Sequence, residues 1–328
     1  CEAAGVPFRS IPNMQDLIAG RVSIRTLRQI SIEDLLGRDP VTLDRKAIRK
    51  ELAGRCVLIS GGGGSIGTEL CRQVARRTPA KLILLETCEF NLFRIDNELR
   101  ARFPDIELQP LLGDVSDPAT VEHVYATHKP DITYHAAAYK HVPMLESQVR
   151  EAIQNNVSGT KVMALAADRH DCGTFVLIST DKAVNPANVM GASKRIAEIF
   201  CQNLSQRSST RFITVRFGNV LGSDGSVVPL FRAQIEAGGP VTVTHPEMMR
   251  YFMTIPEACQ LIMQAETMGS GSEIYVLDMG EPVSITYLAE QMIRLSGNEP
   301  GKDIEIVYTG LRPGEKLFEE LFHEKEHL

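Results

Sequence analysis

"RCVLISGGGGSIGTELCRQVARR", residues 55–77, decides how this chain folds. A short apolar run ending at Ile59 meets a cluster of glycines, and a stretch with helical spacing of apolar residues follows. Gly62, Gly64 and Gly67 satisfy G-x-G-x-x-G, and Gly61, Gly64 and Gly67 satisfy G-x-x-G-x-x-G. Alone such spacing is weak. Between a strand and a helix it is the context a dinucleotide turn requires. Missing side chains let the backbone approach a pyrophosphate, and the helix start at Ser65 and Ile66 offers N–H donors and a partial positive charge. Glu86 ends the next apolar run, about twenty residues after Gly67. A carboxylate there accepts from ribose hydroxyls and repels a 2′-phosphate, so NAD is expected over NADP.

The rhythm repeats outward from this unit. "KLILLE" (81–86), "IELQPLLGDVSD" (106–117), "DITYHAAA" (131–138), "TFVLIST" (174–180) and "RFITVRFGNV" (211–220) read as strands. Helical stretches separate them, such as "FNLFRIDNELRARF" (90–103), "VREAIQNNVSGTKVMALAADRH" (149–170) and "PANVMGASKRIAEIFCQNLSQR" (186–207). Alternation of this kind predicts an α/β fold, a Rossmann-type doubly wound parallel sheet covered on both faces, over residues 55–219. Residues 1–54 are charged and lack the rhythm, as an extension or linker would; within them "SIRTLRQISIEDLLGRDP" (23–40) reads as a surface helix or arm. After Val220 the pattern loosens, which predicts a smaller C-terminal substrate-binding lobe over residues 220–328, with residues 273–279 returning to the sheet as a strand.

Totals exclude several classes. With 328 residues, 43% of them hydrophobic, the chain can bury a full core. A net charge of −6 without a long basic run excludes nucleic acid as the expected partner. No segment approaches the ~18 unbroken apolar residues of a membrane helix, so this stretch is expected to be soluble and without membrane contact of its own. It opens at Cys1 without Met, as a fragment would. Seven cysteines form an odd set with no C-x-x-C pair, which reads as buried thiols in a reducing compartment. Asn156-Val157-Ser158 spells a glycosylation sequon that has no meaning there. His323 to His327 spells H-E-x-x-H, but without an apolar helix face or a third ligand it reads as a solvated tail, and no metal is expected.

Candidate site residues cluster at predicted strand ends, where open α/β sheets bind ligands. Asp114, beside Val115, is placed to meet an adenine amino group. Ala136, Ala137 and Ala138 are small enough for a flat cofactor to lie against the backbone, and Lys140 and His141 follow at the cleft. Ser179, Thr180, Asp181 and Lys182 close the fifth strand. An adjacent acid and base at a cofactor cleft can divide donor and acceptor roles. Lys194 lies one helical turn after Met190, where dehydrogenases of this layout carry a tyrosine; a methionine has no proton to exchange. Arg216, Asn219, Arg250 and Arg312 are expected to face the cleft, and the guanidinium fork suits a diphosphate.

At "SGGGGSIGTEL", "LLGDVSD", "HAAAYKHVP", "STDKAVNPANVMGASK", "RFGNVLGSDGSVVPLF", "MMRYFMTIPEA" and "LRPGEKLFEEL" the chain resembles the nucleotide-sugar dehydratases of the extended short-chain dehydrogenase/reductase superfamily. It is most similar to the bacterial UDP-N-acetylglucosamine 4,6-dehydratases of polysaccharide and glycoprotein glycan synthesis, the CapD/WbpM/PglF-like group. These carry methionine where relatives carry tyrosine. The resemblance implies a lyase that recycles NAD. Hydride leaves C4, water is lost across C5 and C6, and hydride returns to C6, giving a UDP-4-keto-6-deoxy-N-acetylhexosamine. It also implies Asp181 as the acid that expels water, Lys182 as the base at C5, Lys194 as holder of the nicotinamide ribose, and Arg216, Asn219, Arg250 and Arg312 as holders of UDP. The group's members are anchored in the membrane, so the resemblance implies the cytoplasmic side of the bacterial inner membrane for the full-length protein. It further implies a homo-oligomer. For the O4 proton, Thr180 is the nearest hydroxyl, with Ser179 or a water beside Lys194 second, and Met190 fills shape beside the sugar. A UDP-sugar 4-epimerase and a non-catalytic NAD or nucleotide-sugar binding module are the alternatives.

Overall fold

The computed structural model describes residues 9–10, 28–29, 41 and 43–323. Residues 9–10 pair antiparallel with 28–29, inside the stretch read as a helix or arm; the rest of that stretch lies outside the described residues. The H-E-x-x-H tail beyond His323 lies outside them too.

Helix α1 (Arg45–Leu52) leads into β1 (Cys56–Ser60), α2 (Ser65–Ala75), β2 (Lys81–Glu86), α3 (Glu89–Arg102), β3 (Glu107–Leu112), α4 (Pro118–His128) and β4 (Ile132–His135). Two short helices, α5 (Val142–Leu145) and α6 (Val149–Ala152), precede a π-helical stretch at Ile153–Gly159 and α7 (Thr160–Arg169). Then come β5 (Thr174–Ile178), a 3₁₀ turn at Asp181–Ala183, α8 (Val189–Ser205) and β6 (Arg211–Arg216). Six strands, all parallel, run in the order β3-β2-β1-β4-β5-β6, and β11 (Ile274–Val276) adds at the β6 edge as a seventh. The order reverses between β1 and β4, which opens a crevice at the C-terminal ends of the strands.

Strand side chains alternate between two cores. Val57 and Ile59 enter one with Leu70, Ala258 and Ile262; Leu58 enters the other with Tyr125, Met163 and Phe175. Helix α1 belongs to this body, because Ile48 and Leu52 are fully buried in the first core. A separate cluster forms from Leu221, Phe231, Val241, Val243, Phe252, Leu288 and Ile293. It joins α9 (Val227–Glu236), β8 (Val241–Val243) and α11 (Ile285–Leu295), with β13 (Ile306–Tyr308) pairing parallel to β8. Two short pairs lie beside it, β7 (Asn219–Val220) parallel to β10 (Phe252–Met253) and β9 (Met249–Arg250) antiparallel to β12 (Val283–Ser284), while α10 (Ile255–Met268) packs on the sheet.

The expected long helix over residues 149–170 is interrupted. The π-helical stretch turns Asn156 inward, where it is fully buried. Its amide donates to Tyr139 O and Ser193 Oγ, and its carbonyl accepts from Tyr139 N. The sequon asparagine is thus a structural tie between the chain after β4 and helix α8. Cys56, Cys71, Cys172, Cys201 and Cys259 are free and mostly buried, and Cys88 is free and exposed. Among the described residues no helix is long and apolar enough to cross a membrane, and no group of side chains could hold a metal ion.

Candidate functional site

A cleft of about 1020 Å³ opens above the C-terminal ends of β4, β5 and β6, between the sheet and the smaller cluster. That is at the top of the range for a single small-molecule site, with room for more than one ligand. One wall is the glycine turn. Gly61 has φ +67°, and a Cβ there would stand 2.7 Å from Ala137 N; a Cβ on Gly67 would stand 1.9 Å from Gly61 O. Both glycines are demanded by close packing of turn, helix and neighbouring strand. Gly64, Ser65, Ile66 and Gly67 face the cleft. Gly61 and Ala137 pack beneath it, while Ala136 and Ala138 line it.

Glu86 shapes the turn from the side. Its Oε2 accepts from Gly63 N at 2.9 Å and its Oε1 from Thr87 N and Cys88 N. Asp114 caps its own loop through Ser116 N, and Asp117 caps α4. Val115, expected at the cofactor with Asp114, has its side chain buried in the second core, so its backbone is the part that can meet a ligand.

The end of β5 carries the candidate chemistry. Thr180 Oγ1 donates to Asp181 Oδ1 at 2.8 Å, and Lys182 Nζ donates to the same oxygen at 2.9 Å. Lys182 also donates to Asn219 Oδ1 at 3.1 Å. Thr180 and Lys182 line the cleft, whereas Asp181 is fully buried beneath its floor. Direct contact between Asp181 and a leaving group is therefore corrected: it reaches the cleft only through its two neighbours. Helix α8 presses on this turn, since a Cβ on Gly191 would stand 2.1 Å from Lys182 O. Met190 is 3% exposed, packs with Val142, Leu145 and Ala152, and still forms part of the cleft surface.

Lys194 is 4% exposed and lines the cleft with no hydrogen-bond partner among the described residues. Burial lowers its ammonium from 10.5 to about 8, against the pull of Glu198. A buried donor without an acceptor, in the same cleft as a glycine turn, fits the hydroxyls of a bound dinucleotide. His135, below, is held neutral by burial and by Lys194, pushed down to about 3, between Ser60 Oγ and Thr160 Oγ1.

One expected substrate contact is corrected. Arg216 is 1% exposed and does not reach the cleft; its Nε and Nη2 donate to Glu198 at 2.8 and 2.7 Å. Ser179 Oγ donates to the same carboxylate at 2.6 Å, as does Arg195 Nη1 at 2.9 Å. Glu198 gathers the ends of β5 and β6 onto α8, and the charge is affordable only because several donors meet it. Arg250 lines the cleft, but its Nη atoms donate to Met249 O, Leu317 O and Lys316 O. Asn219 turns its Oδ1 toward Lys182. Lys140, His141 and Arg312 remain at the mouth. The cleft walls lower both Lys140 and His141, and Lys140 and Arg312 lower His141 further.

One cleft residue was missed. Glu319, within "LRPGEKLFEEL", is 7% exposed and stands 3.8 Å from Lys182 Nζ. Glu319 and Glu320 stand together between Leu317-Phe318 and Leu321-Phe322, and the sequence alone does not say which of the two carboxylates turns inward.

Comparison with known proteins agrees with this architecture. A capsular polysaccharide biosynthesis protein CapD of Staphylococcus aureus is 52% identical over 99% of this chain and 55% of its own length. A probable polysaccharide biosynthesis protein EpsC of Bacillus subtilis is 50% identical over 99% of this chain and 54% of its own length. The chain thus spans about half the length of these curated relatives. A protein named UDP-glucose 4-epimerase in Rickettsia canadensis is 34% identical over 81% of this chain and 77% of its own. Among solved structures, Pen from Bacillus thuringiensis superposes with a TM-score of 0.76 at 34% identity, covering 82% of this chain and 84% of that one. With the polysaccharide biosynthesis protein family matching residues 57–328, this chain belongs to that family.

Proposed function

We propose that the chain binds NAD and a UDP-sugar in this cleft and dehydrates UDP-N-acetylglucosamine to a UDP-4-keto-6-deoxy-N-acetylhexosamine. The observation that carries the reading is the chain Thr180 Oγ1 to Asp181 Oδ1 to Lys182 Nζ, whose two ends share one cleft with Lys194. Bound NAD supplies a hydride acceptor for C4 and a donor for C6. The glycine turn and Lys194 hold it, and Lys140, His141 and Arg312 meet the UDP diphosphate. Met190 fills space beside the sugar.

The residues divide the protons. As C4 is oxidised, Thr180 Oγ1 takes the O4 proton and passes its own to Asp181 Oδ1. The resulting ketone acidifies C5–H, which Lys182 removes as a neutral amine. Asp181 returns its proton through Thr180 to O6, which departs as water. Lys182 then reprotonates C5. Atoms balance: the O4 proton leaves with the C6 hydroxyl, and the C4 hydride ends on C6.

The test is Thr180→Val in a single turnover with UDP-N-acetylglucosamine. The first hydride step, followed as NADH absorbance, should slow by about 10²–10⁴-fold, the usual contribution of acid–base relay. An unchanged step removes Thr180 from the mechanism. The similarity to the rickettsial epimerase favours a second reading, 4-epimerisation. Product mass separates them, because only dehydration removes a water. If the full-length protein is anchored as its group implies, this part works on the cytoplasmic side of the membrane.

A further inference from the structure

The proposed dehydration has a proton-counting problem. At elimination the site needs a protonated acid and a neutral lysine together. Asp181 and Lys182 start as an ion pair at 2.9 Å that holds one proton, on the lysine. Oxidation at C4 adds a second proton. Two protons on two groups leave an acid and an ammonium, with no base for C5. A third basic site is required.

Glu319 stands where that site must be. Its Oε1 lies 3.8 Å from Lys182 Nζ, so the lysine sits between two carboxylates. The Glu319 side chain is only 2% exposed, and its Oε2 is buried with no hydrogen-bond partner among the described residues. A buried carboxylate oxygen without a donor is costly as an anion and comfortable as an acid. Four charged groups surround it: Lys182 and Asp181 from the 3₁₀ turn, Arg250 from β9, and Lys316 from its own segment. Burial, with Asp181, raises it above the usual carboxylate range, against the pull of Lys182, Arg250 and Lys316. Position is held by backbone contacts as well as by ion pairs to Lys182 and, at 3.9 Å, to Arg250. Arg250 clasps Lys316 O and Leu317 O, Met249 N donates to Leu317 O, and Lys316 Nζ donates to Asn185 O at 2.8 Å.

We propose that Glu319 is the third proton site, taking the proton of Lys182 so that this lysine is a neutral amine when it meets C5–H. The inference rests on the dehydratase reading. The N–H bond of the ammonium breaks, an O–H bond forms on Glu319, and the transfer reverses once C5 is reprotonated. No net proton is gained over the cycle. Glu319 acts through Lys182, so it is a positioning residue for the base.

Glu319→Gln keeps shape and removes the proton site. In single turnovers with NAD and UDP-N-acetylglucosamine, NADH should still form at C4 while water loss slows by more than tenfold near pH 7. The lysine must then lose its proton to solvent, so the elimination rate should climb about tenfold per pH unit. Wild type should lack that slope, and Glu319→Asp should recover part of the neutral-pH rate. Wild-type elimination in Glu319→Gln, or a loss with no change of pH profile, overturns the proposal. A second measurement does not depend on turnover. The carboxyl carbon of Glu319, assigned by its loss in Glu319→Gln, is titrated by NMR in the wild type and in Lys182→Met. Coupling predicts a midpoint above ordinary glutamate that rises again when the lysine charge is removed. An ordinary midpoint, unmoved by Lys182→Met, overturns the proposal even if dehydration stands. A coupled midpoint in a protein that dehydrates no UDP-sugar supports the pairing and rejects the reaction.

Discussion

Lys194 shows how a residue can serve the site at the expense of the fold. Its value falls from 10.5 in the unfolded chain to about 8 in the folded one, because burial disfavours the ammonium. Between those values the unfolded state binds more protons, so stability rises with pH across that window and is lowest below about pH 8. The cost at pH 7 is on the order of 3 kcal/mol before any ligand binds. Lys194→Met keeps the volume and removes the charge. It should raise the melting temperature of the ligand-free protein at pH 7 by a few degrees and leave it unchanged near pH 11. The same variant should bind NAD about tenfold or more weakly, since a charged hydrogen bond is lost. Calorimetry and a fluorescence titration measure both; a less stable variant with unchanged affinity would reverse this account of Lys194.

Between elements, the decisive contact is helix α8 against the turn that carries Asp181 and Lys182. Gly191 admits the Lys182 carbonyl, and the backbone of the turn has little room to retreat because Asp181 N is tied to Phe217 O at 3.0 Å. Gly191→Ala should cost about 1–3 kcal/mol in urea unfolding, the usual penalty for overpacking. It should also lower the rate of water loss while NAD affinity holds. The sheet was legible in the sequence because its strands are continuous apolar runs punctuated by glycine and acid, and because a glycine turn between strand and helix has few other uses. The gathering of "STDKA" with Lys194 at one cleft was legible for a similar reason: unlike residues adjacent at a strand end. Arg216 was not legible. Its partner Glu198 is eighteen residues earlier on a helix face, and the pairing exists only after β6 docks beside α8. The break in the helix before α7 was hidden as well, because a π-helical stretch needs one extra residue and leaves the apolar spacing nearly intact.

At the scale of the molecule, part of the cleft wall is a segment without regular structure. Residues 311–323 are fastened by Arg250, by Lys316 to Asn185 O and by Asn188 Nδ2 to Gly314 O at 3.0 Å. Arg250→Gln leaves those carbonyls short of donors. Hydrogen exchange should quicken in this segment and in β9 without quickening in β1 or β4, and turnover should fall while NAD binding is kept. Exchange that quickens evenly across the sheet would mean the arginine supports the whole body instead. The arrangement has a temporal consequence during synthesis. Lys182 is made with the turn after β5, yet its contact with Glu319 can form only after well over a hundred further residues have been translated. On the proposed reading, a nascent chain therefore carries its acid and base long before the strap that completes their surroundings has been made and fastened.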